Sequence, residues 1–472
     1  MIAVLISQVI TLVSAVVSLF ALGYIAVRHQ RLFLALFMYL TALENTRDFA
    51  PSLNLTLLGF SVYPKDLIAV LCVGAALARL GQWRIRGITR VATGIFIALV
   101  GLGVLSWIWT FGVQRGVNSW REEILAGSVL LYTTTRPRTW SWSDLRVIIV
   151  GPAVLVAVAG LVGILLFGLG SNASTVVVNG VMEEGRPVYA PGSLLMLVGL
   201  WITVLSLGKW TASRVLIILI LGGMVLLTQN RSVWISAILG VVAWWLVPRV
   251  GPRGRSAGLG GVSRTILVFL VATATAFVGV SIAALGQSAS NEDTWLWRVA
   301  RWVNSMSIPR SGIEWLVGST LGPTPASTPG RFPTFAHSFY VDSIEKIGFI
   351  GLAVVMFLLL AVGRAHVHPS IDPLGLIVCA SLLGYGAAYQ VPPWGWMLAG
   401  ILLTTTAVEH HGGARRSDDD GTVDLTESAS RERAARSPEC GDGMPAVQHA
   451  QDFPGTLLQK DTSKSTVNPE AS

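Results

Sequence analysis

Charge is what this sequence has least of. Only 13% of its 472 residues are Asp, Glu, Lys or Arg, against about 25% in a soluble domain, so most of its surface is not built to meet water. Cysteine is nearly absent. Cys72, Cys379 and Cys440 are an odd number, two in apolar stretches and one in a polar tail, with no disulfide framework and no metal-binding spacing. There is no Walker phosphate loop, which excludes a P-loop ATPase, and no G-x-S-x-G elbow to present a serine nucleophile. His366 and His368 form an H-x-H pair without a third ligand, which makes a poor metal site.

What the chain has instead is apolar length. Hydrophobic residues make up 52% of it and the mean hydropathy is +0.62. They fall in blocks at 2–27, 32–43, 66–80, 91–110, 121–135, 146–169, 192–208, 214–228, 232–247, 265–285, 338–362, 371–388 and 392–408. A bilayer core about 30 Å thick takes roughly 20 apolar residues per helix, and only helices satisfy the backbone of runs this apolar. The expected fold is therefore all-α, a polytopic transmembrane protein of about 12 or 13 membrane helices over residues 1–408. The first block has no basic segment before it and is too long for a signal peptide, so it is expected to be a retained helix.

The formal charge of +8 does not point to nucleic acid, because the basic residues sit in short loops between the blocks. Sorted alternately, one set of loops carries Arg28 and Arg31, Arg79, Arg84, Arg86 and Arg90, Arg136, Arg138 and Arg146, Lys209 and Arg214, Arg249 to Arg264, and Arg364, with Asp144 almost the only acid. The other set mixes signs: Glu44, Arg47 and Asp48; Arg115, Arg121, Glu122 and Glu123; Glu183, Glu184 and Arg186. The positive-inside rule puts the first set in the cytoplasm. The N-terminus then lies outside if block 32–43 crosses the membrane and inside if it does not. Residues 286–336 become a large extracytoplasmic loop in which Trp295, Trp297, Trp302 and Trp315 mix with Arg298, Arg301, Arg310 and Arg331. Residues 409–472 are polar, without an apolar face, and are expected to be a disordered cytoplasmic tail.

Several residues could carry chemistry on the outer side. Arg231 stands between two apolar blocks, where an ionisable group is either functional or snorkelling to the headgroups. His337 stands where the large loop meets the next helix; imidazole can take a proton from a sugar hydroxyl, although a lone His at a helix start also serves structure. Glu345 follows two turns later on the same face, while Gly348 and Gly351 permit close helix packing. Arg298 and Arg301 are helix neighbours suited to an anion such as a diphosphate. Trp295 and Trp297 could stack on sugars or form an interfacial belt.

Three elements in this order resemble the O-antigen ligase/polymerase superfamily of bacterial envelope polysaccharide enzymes. They are T-x-x-R-x-x-W at Thr228, Arg231 and Trp234; R-x-x-x-W … P … G-x-x-x-G at Arg298, Trp302, Pro309, Gly318 and Gly322; and H-x-x-Y-x-x-x-x-E-x-x-G-x-x-G at His337, Tyr340, Glu345, Gly348 and Gly351. Ser338 stands where that family commonly has Asn. The resemblance covers roughly residues 60–408, with the motifs in 220–365. It implies a multi-pass protein of the bacterial plasma membrane that takes a polyprenyl-diphosphate-linked glycan outside the membrane. The glycan is transferred to a glycan or lipid acceptor with inversion, without cofactor or metal. His337, Arg231 and Arg298 would be catalytic; Arg301, Arg115, Arg121, Tyr340, Glu345 and Trp302 would bind substrate. For Arg115 and Arg121 a salt bridge with Glu122 or Glu123 is the alternative. Other envelope-assembly proteins are possible partners. The competing function is a flippase for the same lipid-linked saccharide, which should show charged or broken helices near the midplane.

Overall fold

The structure, a computed structural model, describes residues 20–46, 55–57, 60–79, 87–135, 140–167, 175–178, 181–184, 188–206, 210–228, 230–246, 292–323, 338–365 and 373–404, with a few single positions besides. His337, block 265–285 and the tail 409–472 lie outside these residues, as do the side chains of Trp295, Trp297, Arg298 and Arg301. The chain divides after Gly413, and all of the described residues belong to the first part.

That part is helical. Helix α1 is Gln30–Glu44, α2 Pro64–Leu77, α3 Gly87–Phe111 and α4 Val113–Thr135. Helix α5 enters through Trp142–Leu145 and a π-helical turn Arg146–Val150 and continues as Gly151–Phe167. Next come α6 (Ala190–Leu205), α7 (Ala212–Leu227), α8 (Arg231–Leu246), α9 (Glu292–Ser307) and α10 (Gly312–Val317), which runs into a 3₁₀ turn, Gly318–Leu321. Helices α11 (Phe339–Ala365), α12 (Leu374–Gly386) and α13 (Pro393–Thr404) complete it. Each apolar block within the described residues coincides with one helix. The block reading passes over two short antiparallel hairpins, Leu55–Leu57 with Phe60–Val62 and Thr175–Val178 with Val181–Glu184.

Among the described residues three helices are long and apolar enough to cross a membrane, Gly87–Phe111, Trp142–Leu166 and Phe339–Gly363, and five shorter apolar helices accompany them. Their outward faces fit that use. Leu102, Leu105 and Trp109 on α3, and Trp234, Ile238, Val241 and Trp245 on α8, are exposed at helical spacing. Apolar stripes of this extent are rare on soluble surfaces and match hydrocarbon. The interior is close-packed: Trp120, Trp394, Tyr132 and Tyr385 are fully buried.

The described residues of the two sets of loops that charge separates collect at opposite ends of the bundle. At one end Arg31 Nη1 pairs with Asp144 Oδ1 at 3.1 Å, and Arg146 donates to Ser206 Oγ at 2.9 Å. Arg214 donates to the Thr203 and Val204 carbonyls at the C-terminus of α6, where a cation complements the helix dipole. At the other end Tyr189 N–H donates to the Asn45 carbonyl, and Asn230 Nδ2 donates to Ser193 Oγ at 2.8 Å. Helices α1 and α7 run from the first end to the second and α6 runs back between them, so the short α1 does traverse the bundle. Asp144, almost fully buried, also accepts from Ser141 N–H at 3.1 Å. Asp144→Ala is expected to cost about 2 kcal/mol, checked by thermal unfolding of the purified protein; a change under about 0.5 kcal/mol, the range of ordinary surface substitutions, would contradict this account of the basic end.

Candidate functional site

The mixed-charge end is built on three consecutive residues of α4. Successive helical residues point about 100° apart, so Arg121, Glu122 and Glu123 reach different neighbours. Arg121 Nε pairs with Asp66 of α2 at 2.8 Å, with its guanidinium over the Tyr63 ring. Glu122 takes Lys65 of α2 at 2.8 Å. Glu123 takes Lys346 of α11 at 2.7 Å. Arg121 is thus ion-paired with Asp66 of α2, where the sequence offered Glu122 and Glu123. Asp66 also accepts from Tyr63 N–H at 2.9 Å, closing the first turn of α2, where a carboxylate suits the helix dipole.

Helix α11 carries the densest set of site candidates. It is broken at Gly348, whose φ of 69° and ψ of −174° lie outside the range that L side chains adopt readily. The half before the break holds Tyr340, Asp342, Glu345 and Lys346; the half after it is apolar. The end of the large loop docks at the break. A Cβ on Gly318 would stand 2.6 Å from Gly348 N, and a Cβ on Gly348 would overlap the Leu316 carbonyl. Trp107 of α3 donates to the Ser319 carbonyl at 3.3 Å, and Trp315 stacks on Phe349 with centroids 5.6 Å apart.

Arg310 completes this junction. Its side chain is only 2% exposed and lies 3.7 Å from Glu345. It donates to the Ser305 carbonyl at 3.0 Å and sits over the Trp315 ring. Burial lowers its pKa, with Glu345 and Glu314 pulling back toward the ordinary value. Glu345 therefore orients a loop arginine. Tyr340, a candidate for substrate binding, donates its hydroxyl to the Leu383 carbonyl at 2.7 Å and so holds α11 to α12. The chain is described again from Ser338, the buried residue next in sequence to His337.

Arg231 opens α8. Thr228 Oγ1 and Trp234 Nε1 both donate to the Val225 carbonyl, at 3.0 and 3.1 Å, which pins the turn from α7 into α8. Arg231, between them in sequence, is left exposed and makes no ion pair among the described residues. Arg115, on the first turn of α4, is likewise exposed. Arg298 and Arg301 fall one turn apart on α9, with Trp302 partly buried beside them in sequence.

Between these elements lies a cavity of about 390 Å³, lined by residues of α1, α2, α4, α6, α11 and α12 and of the segment leading into α13. It brings together Glu44, Lys65, Glu122, Asp342 and Gln390 with the aromatic residues Tyr385, Tyr389 and Trp394. Gln390 Nε2 donates to Asp342 Oδ2 at 3.0 Å. Of the cavity's ionisable residues, sequence reasoning singled out Glu44 and Glu122 only as loop charges and missed Lys65 and Asp342. Asp342, five residues after His337 and at the start of an apolar block, was the available signal. No family of proteins and no curated protein matches the chain in sequence comparison.

Proposed function

We propose that this protein is a membrane glycosyltransferase, which polymerises or ligates a polyprenyl-diphosphate-linked oligosaccharide on the extracytoplasmic face. The observation that carries this reading is the junction of the large loop with α11. The loop motif and the helix motif of the resemblance meet through Gly318 against Gly348, beside the pair that the loop's Arg310 makes with Glu345. On this reading the 12 or 13 apolar segments span a bacterial plasma membrane, and the mixed-charge end faces outward.

Arg231 and Arg298 hold the donor diphosphate and stabilise the negative charge that grows on it as a leaving group. His337 takes the proton from an acceptor hydroxyl. The acceptor oxygen attacks the anomeric carbon from the side opposite the diphosphate, the bond to the diphosphate oxygen breaks, and the configuration inverts. Polyprenyl diphosphate leaves with the bonding electron pair. A flippase is the second reading: the break at Gly348 and the charges of α11 suit it, whereas the other described ion pairs gather toward the two ends of the bundle.

Arg231→Lys keeps the charge and loses the two-pronged fork. Losing one charge-assisted hydrogen bond of about 1.5–3 kcal/mol should lower transfer from a lipid-diphosphate donor about tenfold to a hundredfold in a reconstituted assay. Full activity would argue against diphosphate clamping by this residue.

A further inference from the structure

We infer that the cavity beside α11 is the acceptor subsite and that it selects an uncharged or amino-bearing saccharide over an acidic one. This rests on the glycosyltransferase reading and adds the acceptor's chemical class. The argument starts from charge. The cavity is lined by three carboxylates, Glu44, Glu122 and Asp342, and by one ammonium, Lys65. Lys65 is held by Glu122 at 2.8 Å. Nearby, Arg121 is held by Asp66 and Lys346 by Glu123. A diphosphate or a uronic acid entering here would meet carboxylates and, among the described residues of the lining, no cation outside an ion pair, whereas an ammonium would be attracted.

The rest of the lining suits a sugar. Carboxylate and amide oxygens accept hydrogen bonds from hydroxyls, and Asp342 and Gln390 already stand 3.0 Å apart as a polar pair. Tyr389, stacked on the fully buried Tyr385 with centroids 5.3 Å apart, offers aromatic surface to the C–H face of a ring. Trp394 lines the same cavity, is fully buried, and its indole N–H finds no hydrogen-bond partner among the described residues. That N–H is sealed from the cavity, so Trp394 serves as wall, and the half-buried amide of Gln390 offers the polar edge. The volume of about 390 Å³ falls within the range of small-molecule sites, about 300–1,000 Å³. Among the described residues no three His, Cys, Asp or Glu side chains converge as a metal site.

The test uses the full chain in lipid nanodiscs and three disaccharide probes: cellobiose, the diglucosamine from chitosan, and digalacturonate. Binding is read by calorimetry and by saturation-transfer NMR. Diglucosamine and cellobiose should bind, and digalacturonate at least about tenfold more weakly. Asp342→Asn removes a charge at constant shape and should narrow that gap at least about threefold. Gln390→Leu keeps the size and removes the amide, and should weaken cellobiose about tenfold, the worth of one hydrogen bond. Equal or tighter binding of digalacturonate, absence of binding by all three, or indifference to both variants in protein of normal thermal stability would overturn the inference. Transfer from a lipid-diphosphate donor with no such selectivity would sink the inference alone. Selective binding without any transfer would keep the cavity as a saccharide site of that selectivity, but would remove the glycosyltransferase reading and with it the acceptor role.

Discussion

Replacing Gly348 by valine is expected to undo the junction between the large loop and α11. The backbone at Gly348 is left-handed, with φ 69°, which a β-branched residue adopts only at a cost of about 1–2 kcal/mol or more. Its Cβ would also overlap the Leu316 carbonyl, and that overlap is with backbone, not with a side chain that could swing away. Together these place the loss at about 3–5 kcal/mol, among the large single-substitution effects. The junction is also where Arg310 meets Glu345 and Trp315 stacks on Phe349, so the loop should come free as a unit. Limited proteolysis is the readout: the variant should be cut within 286–336 at protease concentrations that leave the parent intact. Equal protection of the two proteins would mean that the loop is held elsewhere.

The second large effect is on chemistry. His337→Ala should lower transfer by about 10²–10⁴-fold, the usual worth of a positioned general base. Donor binding, which falls to the arginines, should change little. The two consequences separate base catalysis from a structural role. A structural His at the start of α11 would lose thermal stability along with activity, whereas a base would lose activity alone. Normal turnover by a normally folded His337→Ala protein removes the proposed base.

Much of this fold is legible in the sequence, because hydrocarbon imposes a strong rule on it. Blocks such as 192–208 and 214–228 became α6 and α7, since an apolar run in a bilayer has only the helix open to it. The ends were legible through charge: Arg31, Arg146 and Arg214 gather at one end, as the loop sorting requires. The Thr175–Glu184 hairpin was not read from the blocks, although Asn179-Gly180 between valines is a turn signal for such a pair.

The site was legible in part. Gly318 and Gly348 stood out because a motif needs a residue without a side chain, and the structure brings the two together. Arg310 was passed over because the motif pointed to Arg298; its clue was its place just before the Ser311 cap and Glu314. Partners of ion pairs are harder to read. The neighbours of Arg121 in sequence include two acids, yet it pairs with Asp66 of α2, because which acid an arginine meets depends on how helices pack. The cavity was not legible at all, since segments from Phe37 to Trp394 contribute to it and no local pattern links them.

The central claim, transfer of lipid-linked glycan on the outer face, is tested most directly by deleting the gene and sizing the cell-surface polysaccharide. Long chains should collapse to single repeat units if the enzyme polymerises, or lipid-linked polymer should accumulate undelivered if it ligates. Unchanged chain lengths and unchanged delivery, or repeat units trapped on the cytoplasmic side, would contradict it.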